Sequence, residues 1–358
     1  MIIISNELSN NNLIFIIMKT LVLSMISIAA TIAAMTACTS EGDPIDNIDN
    51  GQPVEIQLNA GIGSITTKTP ITSDDQGKLS SALPGIQFVK AADIAETPAW
   101  GDVSAVASVA EIKTDDLSTG KISFTTPLYY NVNPTLKSWL IGYYPAAQVG
   151  PDASTNKGKL QWTITGKEDI LLSTEVSGNK STGTQIPSIE FKHQLLQMQF
   201  KFVAEDQAAI DTWGNAIRSI AIKTKASGTL ENLPSTITCA LSSTPSLAWS
   251  NPVELTAFAV TGGTTYSDNK ITEVSPITLT ETETLGGYIM VQPLTATTDY
   301  TLAITTEKST AEVPITLGAA PAAGKAYEIV LTFKASTIAT TATITKWETV
   351  TGGTGTVQ

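Results

Sequence analysis

The chain has 358 residues, a formal net charge of −12, and is 42% hydrophobic against 15% charged, a balance that can bury a sizeable core and is not that of a disordered chain. Its acidity argues against a nucleic-acid partner, since phosphate neutralisation needs clustered lysine and arginine. One arginine (Arg218), one histidine (His193) and two cysteines (Cys38 and Cys239) leave no material for anion clamps, multi-histidine metal sites or a disulfide framework.

In chain order, the first feature is an export signal. Met18-Lys19-Thr20 precedes an uncharged apolar run from Leu21 to Ala37, which ends in Met35-Thr36-Ala37-Cys38. A short basic start, an apolar centre and small residues before a processing point define a signal peptide over 1–37, with Met18 as the expected true start. The run is shorter than the roughly 20 residues of a spanning helix. Ending on cysteine, it resembles a bacterial lipoprotein signal, which implies lipidation of Cys38; an ordinary secretory signal with an incidental cysteine is the alternative. Residues 38–53 carry Glu41, Asp43, Asp46 and Asp49 without a basic residue and are expected to form an acidic, solvated tether. With Cys38 acylated, Cys239 would be a lone thiol, expected as a small buried hydrophobe.

From residue 54 the pattern has period two. Val54, Ile56, Leu58, Ala60 and Ile62 alternate with Glu55, Gln57, Asn59 and Gly61, as in a strand with one buried face. Similar runs occupy 121–126, 138–144, 160–165, 188–203, 217–224, 253–260, 285–292, 300–306, 311–317, 326–333 and 337–347, rich in threonine, valine and isoleucine. Turn sequences such as Asn133-Pro134, Gly150-Pro151 and Gly262-Gly263 separate them. Only 205–214 has a helical character. Short strands without helical crossovers predict an all-β chain of two tandem antiparallel β-sandwiches, 54–204 and 205–358. Within 188–203 the apolar parity switches from Ile189, Phe191, His193 and Leu195 to Leu196, Met198, Phe200 and Phe202. That switch predicts a β-bulge or a crossing between sheets near Leu195-Leu196 and turns His193 inward as a hydrogen-bonded core residue.

No catalytic set emerges. A nucleophile needs an oriented base, yet no Gly-x-Ser-x-Gly elbow exists and His193 has no evident partners. Gly61-x-Gly63 lacks a third glycine for phosphate cradling. Asp74-Asp75 and Asp115-Asp116 are too sparse in oxygen ligands for calcium and are expected in solvated turns. No cofactor, metal or enzymatic activity is expected. Trp139, Tyr143 and Tyr144, with Tyr129 and Tyr130, could stack on sugars, but filling a sandwich core is the simpler expectation. Tyr129 and Tyr130, being neighbours, should face opposite sides.

Several segments together resemble the fimbrillins, subunits of type V pili and related surface lipoproteins. Trp139-Leu140-Ile141-Gly142-Tyr143-Tyr144-Pro145 is similar to the family's "GYYP" segment. Lys167-Glu168-Asp169-Ile170-Leu171-Leu172-Ser173 resembles its "D-I-L-hydrophobic-S/A" strand, and Phe191-Lys192-His193-Gln194-Leu195 its "F-x-H-x-L" strand. Gly324-Lys325-Ala326-Tyr327-Glu328-Ile329 and Ile344-Thr345-Lys346-Trp347 are similar to its closing strands. The resemblance implies two transthyretin-like sandwiches and a lipidated precursor at the outer membrane. It also implies removal of the first strand by a trypsin-like protease after a basic residue, and filling of the vacated groove by a C-terminal strand of another subunit. Here Lys68 would be the cleavage residue and Thr69 the new N-terminus, Lys68 being the first basic residue after Cys38; an ordinary exposed turn before Pro70 is the other possibility for this lysine. Lysine departs from the arginine that gingipain-type proteases require.

The donor would be 337–347, with Ile338, Ala342 and Ile344 on one face; the alternative is that this strand completes its own sandwich. Val54, Ile56, Leu58 and Ile62, at about 1.5–3 kcal/mol each when buried, set the groove's worth on the order of 6–12 kcal/mol, comparable to a domain's net stability. The expected function is a fimbrial subunit at the cell surface, lipid-anchored through Cys38 to the outer membrane, with other pilin subunits as partners and a role in adhesion to a host or bacterial surface. A lipid-anchored glycan- or protein-binding module that does not polymerise is the competing class.

Overall fold

The computed structural model describes residues 52–62, 81–104, 107–151, 156–182, 188–226 and 228–345. Pro53 onward forms one compact unit. The first strands are β1 (Leu58–Ile62), β2 (Leu83–Lys90), β3 (Ser108–Ile112), β4 (Lys121–Phe124), β5 (Ser138–Tyr144), β6 (Lys159–Thr163), β7 (Leu171–Ser173), β8 (Val176–Gly178) and β9 (Ile189–His193). After β10 (Leu196–Ala204) comes the helix α1 (Gln207–Trp213), then β11 (Ala216–Ala226), β12 (Thr229–Ala240), β13 (Ser246–Val253), β14 (Leu255–Thr256), β15 (Phe258–Thr261) and β16 (Thr265–Lys270). The chain continues through β17 (Ile277–Thr278), β18 (Thr284–Val291), β19 (Tyr300–Thr306), β20 (Thr310–Pro314) and β21 (Ala326–Phe333) to β22 (Ile338–Thr345).

The all-β expectation holds. The short helix starts where Asp206 accepts a hydrogen bond from the Ala209 backbone N–H at 2.9 Å and stops at Gly214, whose φ of 84° favours glycine.

Strands β2, β3, β4, β1, β9, β7 and β5 pair in that order, and β5 pairs back onto β2, so the first sheet closes into a ring with β8 beside β5. The second sheet runs β16-β15-β18-β10-β21-β22. The third runs β13-β12-β11-β19-β20, joined by β6, β14 and β17. Pairing is antiparallel except for β1 with β9 and β10 with β21, which are parallel. Partners this far apart in sequence are not bound by hairpin geometry, so no helical crossover is needed.

Inside the ring, Ile56, Leu58, Phe88, Ile122, Leu140, Leu171 and Phe191 form one buried cluster. Their chain neighbours Val89, Ile141 and Leu172 point the other way and join a larger cluster that extends to Phe333. The β2–β5–β7 wall is therefore buried on both faces, which accounts for its near-continuous apolar sequence.

The parity switch at Leu195-Leu196 is a crossing between sheets: β9 belongs to the ring and β10 to the second sheet. The single strand expected over 253–260 is instead divided, β14 pairing with β11 and β15 with β18. Three long strands, β2, β12 and all but the last residue of β13, lay outside the expected set. Gly85, with φ of 78°, lies where the β2 register shifts, and Pro234 of β12 stands opposite Pro252. Both features interrupt the alternation by which strands are recognised. Cys239 is fully buried and free, and burial pushes its thiol up to about 12.

Gly142 holds a constraint on the ring. A Cβ there would lie 2.6 Å from the Phe191 ring and 2.9 Å from Phe88, which meet edge-on at a centroid distance of 6.2 Å. Gly142→Ala should destabilise the chain by about 1–3 kcal/mol through overpacking, read as a lowered Tm; an unchanged Tm would refute this account of the glycine.

Candidate functional site

The first strand occupies a slot. Its antiparallel neighbour is β4, in the register Leu58 to Ile122 and Asn59 to Lys121, and its parallel neighbour is β9, in the register Ala60 to Ile189. The residues leading into it continue the pairing: the Ile56 N–H donates to the Leu128 carbonyl at 2.8 Å and the Tyr130 N–H to the Val54 carbonyl at 3.0 Å. Ile56 and Leu58 are each 1% exposed inside the ring, and Val54 and Ala60 are half-buried beside them. These two fully buried side chains alone contribute about 3–6 kcal/mol.

Gly120 and Tyr130 shape this slot. Gly120 has φ of 65°, its carbonyl accepts from the Ala60 N–H at 2.7 Å, and a Cβ on it would fall far inside contact distance of the Ala60 carbonyl oxygen. The turn before it, a 3₁₀ segment Thr114–Asp116, carries the exposed Asp115 and the half-buried Asp116, and its Asp116 carbonyl accepts from the Gly120 N–H at 2.8 Å. The Asp116 backbone carbonyl thus ties the loop whose Gly120 carbonyl meets the first strand. Tyr130 is buried in the same ring, and its hydroxyl has no hydrogen-bond partner among the described residues. Burial pushes that hydroxyl up to about 12.

Beside the slot, from β9 through β7 to β5, the segments that resemble family motifs converge. His193 Nδ1 lies 2.7 Å from an Asp169 carboxylate oxygen, both side chains fully buried, so the inward histidine does have a partner. The Ser173 hydroxyl accepts from the Gly142 N–H at 2.8 Å, and Gly142 makes room for Phe191. The "GYYP", "D-I-L" and "F-x-H-x-L" segments are thus one contact set that joins β5, β7 and β9. Asp169 was the missed member; its place two residues before Leu171, which pairs with His193, is visible only once the register is known.

The aromatic residues do not assemble a platform. Tyr143 is buried edge-on against Trp162 at a centroid distance of 5.7 Å, and Trp139 donates its indole N–H to the Ile94 carbonyl at 3.0 Å. Tyr144 projects from the other face of β5, while Tyr130 is buried and Tyr129 exposed, as their adjacency predicts.

Toward the C-terminal end of the described residues, β22 lies at the edge of the second sheet, paired with β21, and its Thr340 hydroxyl donates to the Pro314 carbonyl of β20 at 3.5 Å. Ile338 and Ala342 are half-buried and Ile344 is 43% exposed. Sheet edges are commonly guarded by charge, proline or irregular backbone. Asp268 and Lys270 guard β16, Asn251 (φ of 53°) and Pro252 guard β13, and Glu312 and Pro314 guard β20. From Ile338 to Thr345, β22 has none of these. Cys38, Lys68 and Thr69 lie outside the described residues.

The described residues thus form a ring closed by the first strand and two open sheets, one of which ends on β22. The profile of the fimbrillin-like family matches residues 91–347, and the chain belongs to that family. Membership makes it a pilus-type protein of the cell surface with a structural role. Among solved structures, a candidate cell adhesion protein of Bacteroides uniformis is similar at 13% identity, covering 85% of this chain and 100% of its own, with a TM-score of 0.52. A fimbrial protein of Bacteroides vulgatus aligns at 11% identity over 82% of this chain and 99% of its own, with a TM-score of 0.38. No curated protein sequence matches.

Two substitutions probe the slot. Gly120→Ala should speed amide hydrogen exchange at 56–62 relative to β10 and β18; equal protection would show that Gly120 does not hold the strand. Tyr130→Phe removes a buried hydroxyl without a described partner, so the Tm should hold or rise; a fall of several degrees would reveal an undescribed partner.

Proposed function

We propose that this chain is a pilus subunit exported as a lipoprotein, acylated at Cys38 and carried to the outer membrane. There the segment 54–68 is removed by cleavage between Lys68 and Thr69, opening a first sandwich, 54–204, whose vacated slot accepts the last strand of another subunit. A second sandwich, 205–358, supplies that donor strand through Ile338, Ala342 and Ile344, and the polymer serves adhesion. The observation that carries this reading is the slot: β1 is hydrogen-bonded on both sides and fills the ring with Ile56 and Leu58, yet Lys68 lies between it and β2 in the chain.

A cut there would leave β1 held by non-covalent contacts alone. Its loss would unpair two strand edges and uncover Ile122, Ile189 and Phe191, a state that calls for a replacement strand. The unguarded β22 supports the same reading from the donor side. N-terminal sequencing of the protein from outer membranes tests it directly. Polymer should begin at Thr69 and precursor at a lipidated Cys38; polymer that retains residues 54–68 would refute strand removal.

A further inference from the structure

Three of the seven large apolar side chains exposed among the described residues gather at one end of the ring: Ile94 is 43% exposed, Tyr129 45% and Val132 60%. Scattered singly, such residues need no explanation, but a group does. A polar network holds them there. Asp93 accepts from the Ser138 hydroxyl at 2.8 Å and from Asn131 at 3.3 Å, and pairs with Lys90 at 3.0 Å; Lys90 also donates to the Tyr129 carbonyl at 3.2 Å. Ile94 and Val132 are the chain neighbours of Asp93 and Asn131. Beside them the Ile94 carbonyl holds the Trp139 indole, and the Lys137 ammonium stands 5.5 Å from the centroid of that ring.

The chain enters the ring at the same end. Glu55 bridges to Tyr129, and the Val54 carbonyl accepts from the Tyr130 N–H. Because β1 runs parallel to β9, whose far end passes into the second sheet, this entry lies at the end of the ring away from that crossing. Cys38 stands fourteen residues before Gln52, a separation of at most about 50 Å along any path of the chain. We propose that in the lipidated precursor this end of the ring rests on the bilayer surface, with Ile94, Tyr129 and Val132 entering the interface; this rests on the reading of Cys38 as the acylated residue.

An acyl anchor fixes one point of a chain and leaves the orientation of its folded part open. A second contact close to the anchor acts at high effective concentration, so a weak one suffices. Ile94 and Val132 supply apolar area, while Tyr129 and Trp139 have the amphipathic rings that suit headgroup depth. Lys137 can lay its stem along the bilayer surface and keep its ammonium in water. Glu55 and Glu96, both exposed nearby, offset the lysines, so the contact depends on apolar burial and not on anionic lipid. Removal of 54–68 would part the ring from its anchor, and the contact therefore belongs to the precursor.

Vesicles test it. A chain starting at residue 38 would be coupled through Cys38 to a maleimide headgroup lipid in phosphatidylcholine vesicles, which supplies the anchor whatever the cell does; Cys239, fully buried, stays silent. The control is the same chain coupled to a soluble maleimide. Amide hydrogen exchange at 92–95 and 131–133 should be several-fold slower on vesicles than in the control, with 272–275 unchanged. Ile94→Asp combined with Val132→Asp should abolish the slowing while the Tm holds. Equal exchange on vesicles and in the control overturns the inference. So does slowing that survives the double substitution, which places the contact elsewhere, or slowing that appears in the soluble conjugate as its concentration rises, which assigns the patch to a second copy. Mass spectrometry of Cys38 from outer membranes tests acylation separately, and an unmodified Cys38 there removes the inference together with that reading.

Discussion

Ring closure between β4 and β9 is the constraint on which the first half of the fold depends. Each of those strands presents a row of backbone donors and acceptors toward the gap, and each turns apolar side chains into the interior. A single strand must satisfy both rows and fill the core at once. The first strand does so with mixed pairing, antiparallel on one side and parallel on the other. Mixed pairing of this kind arises when a strand is inserted between neighbours laid down by other parts of the chain. The slot is consequently defined by its walls and not by a local hairpin, and any strand of suitable pattern can in principle satisfy it.

The walls do not depend on the first strand in the same degree. From the slot's own edge inward along the ring, β9, β7 and β5 are tied by Gly142 against Phe191, by Ser173 to the Gly142 amide, and by the buried Asp169–His193 pair. Breaking such a buried pair by removing one partner costs about 3–5 kcal/mol, since a charged or polar group is left uncompensated. The outward faces of β2, β5 and β7 are anchored again in the larger cluster through Val89, Ile141 and Leu172. Among the described residues, the apolar side chains of the first strand, Val54, Ile56, Leu58 and Ala60, belong to the interior cluster. The ring thus divides into a wall secured on two faces and an insert secured on one, which is the mechanical condition for exchanging the insert without unfolding the wall.

Much of this was legible from residue patterns. Strict alternation marked the buried face of the first strand, and the parity change at Leu195-Leu196 marked the passage between sheets, because side-chain direction has a period of two. The inward orientation of His193 followed from the same rule. What was not legible depended on register or on backbone. Asp169 meets His193 only because β7 pairs with β9 in one alignment, and Gly120 matters only because its loop reaches the Ala60 carbonyl. Strands β2 and β12 escaped notice because Gly85 and Pro234 break their alternation, and the expected antiparallel pattern missed the parallel pairs, which follow from topology rather than composition.

The composition of the two terminal strands reflects how each meets water. Ile56 and Leu58 sit in a filled slot and can be fully apolar. Residues 338–345 form a sheet edge in the isolated chain, where a valine- or isoleucine-rich strand without charge would invite indiscriminate pairing. Charge or proline would suppress that pairing but would also bar the strand from any buried slot, since desolvating an unpaired charge is costly. Threonine resolves the conflict. It is β-branched, so it holds an extended backbone, and its hydroxyl is satisfied by water at an edge or by a single partner in a core. The threonines at 340, 341, 343 and 345 thus keep β22 soluble as an edge while leaving Ile338, Ala342 and Ile344 to supply the apolar face. A strand that lies at an edge is expected to be less apolar than one held between two neighbours, and the contrast between β22 and the residues 54–62 has that sense.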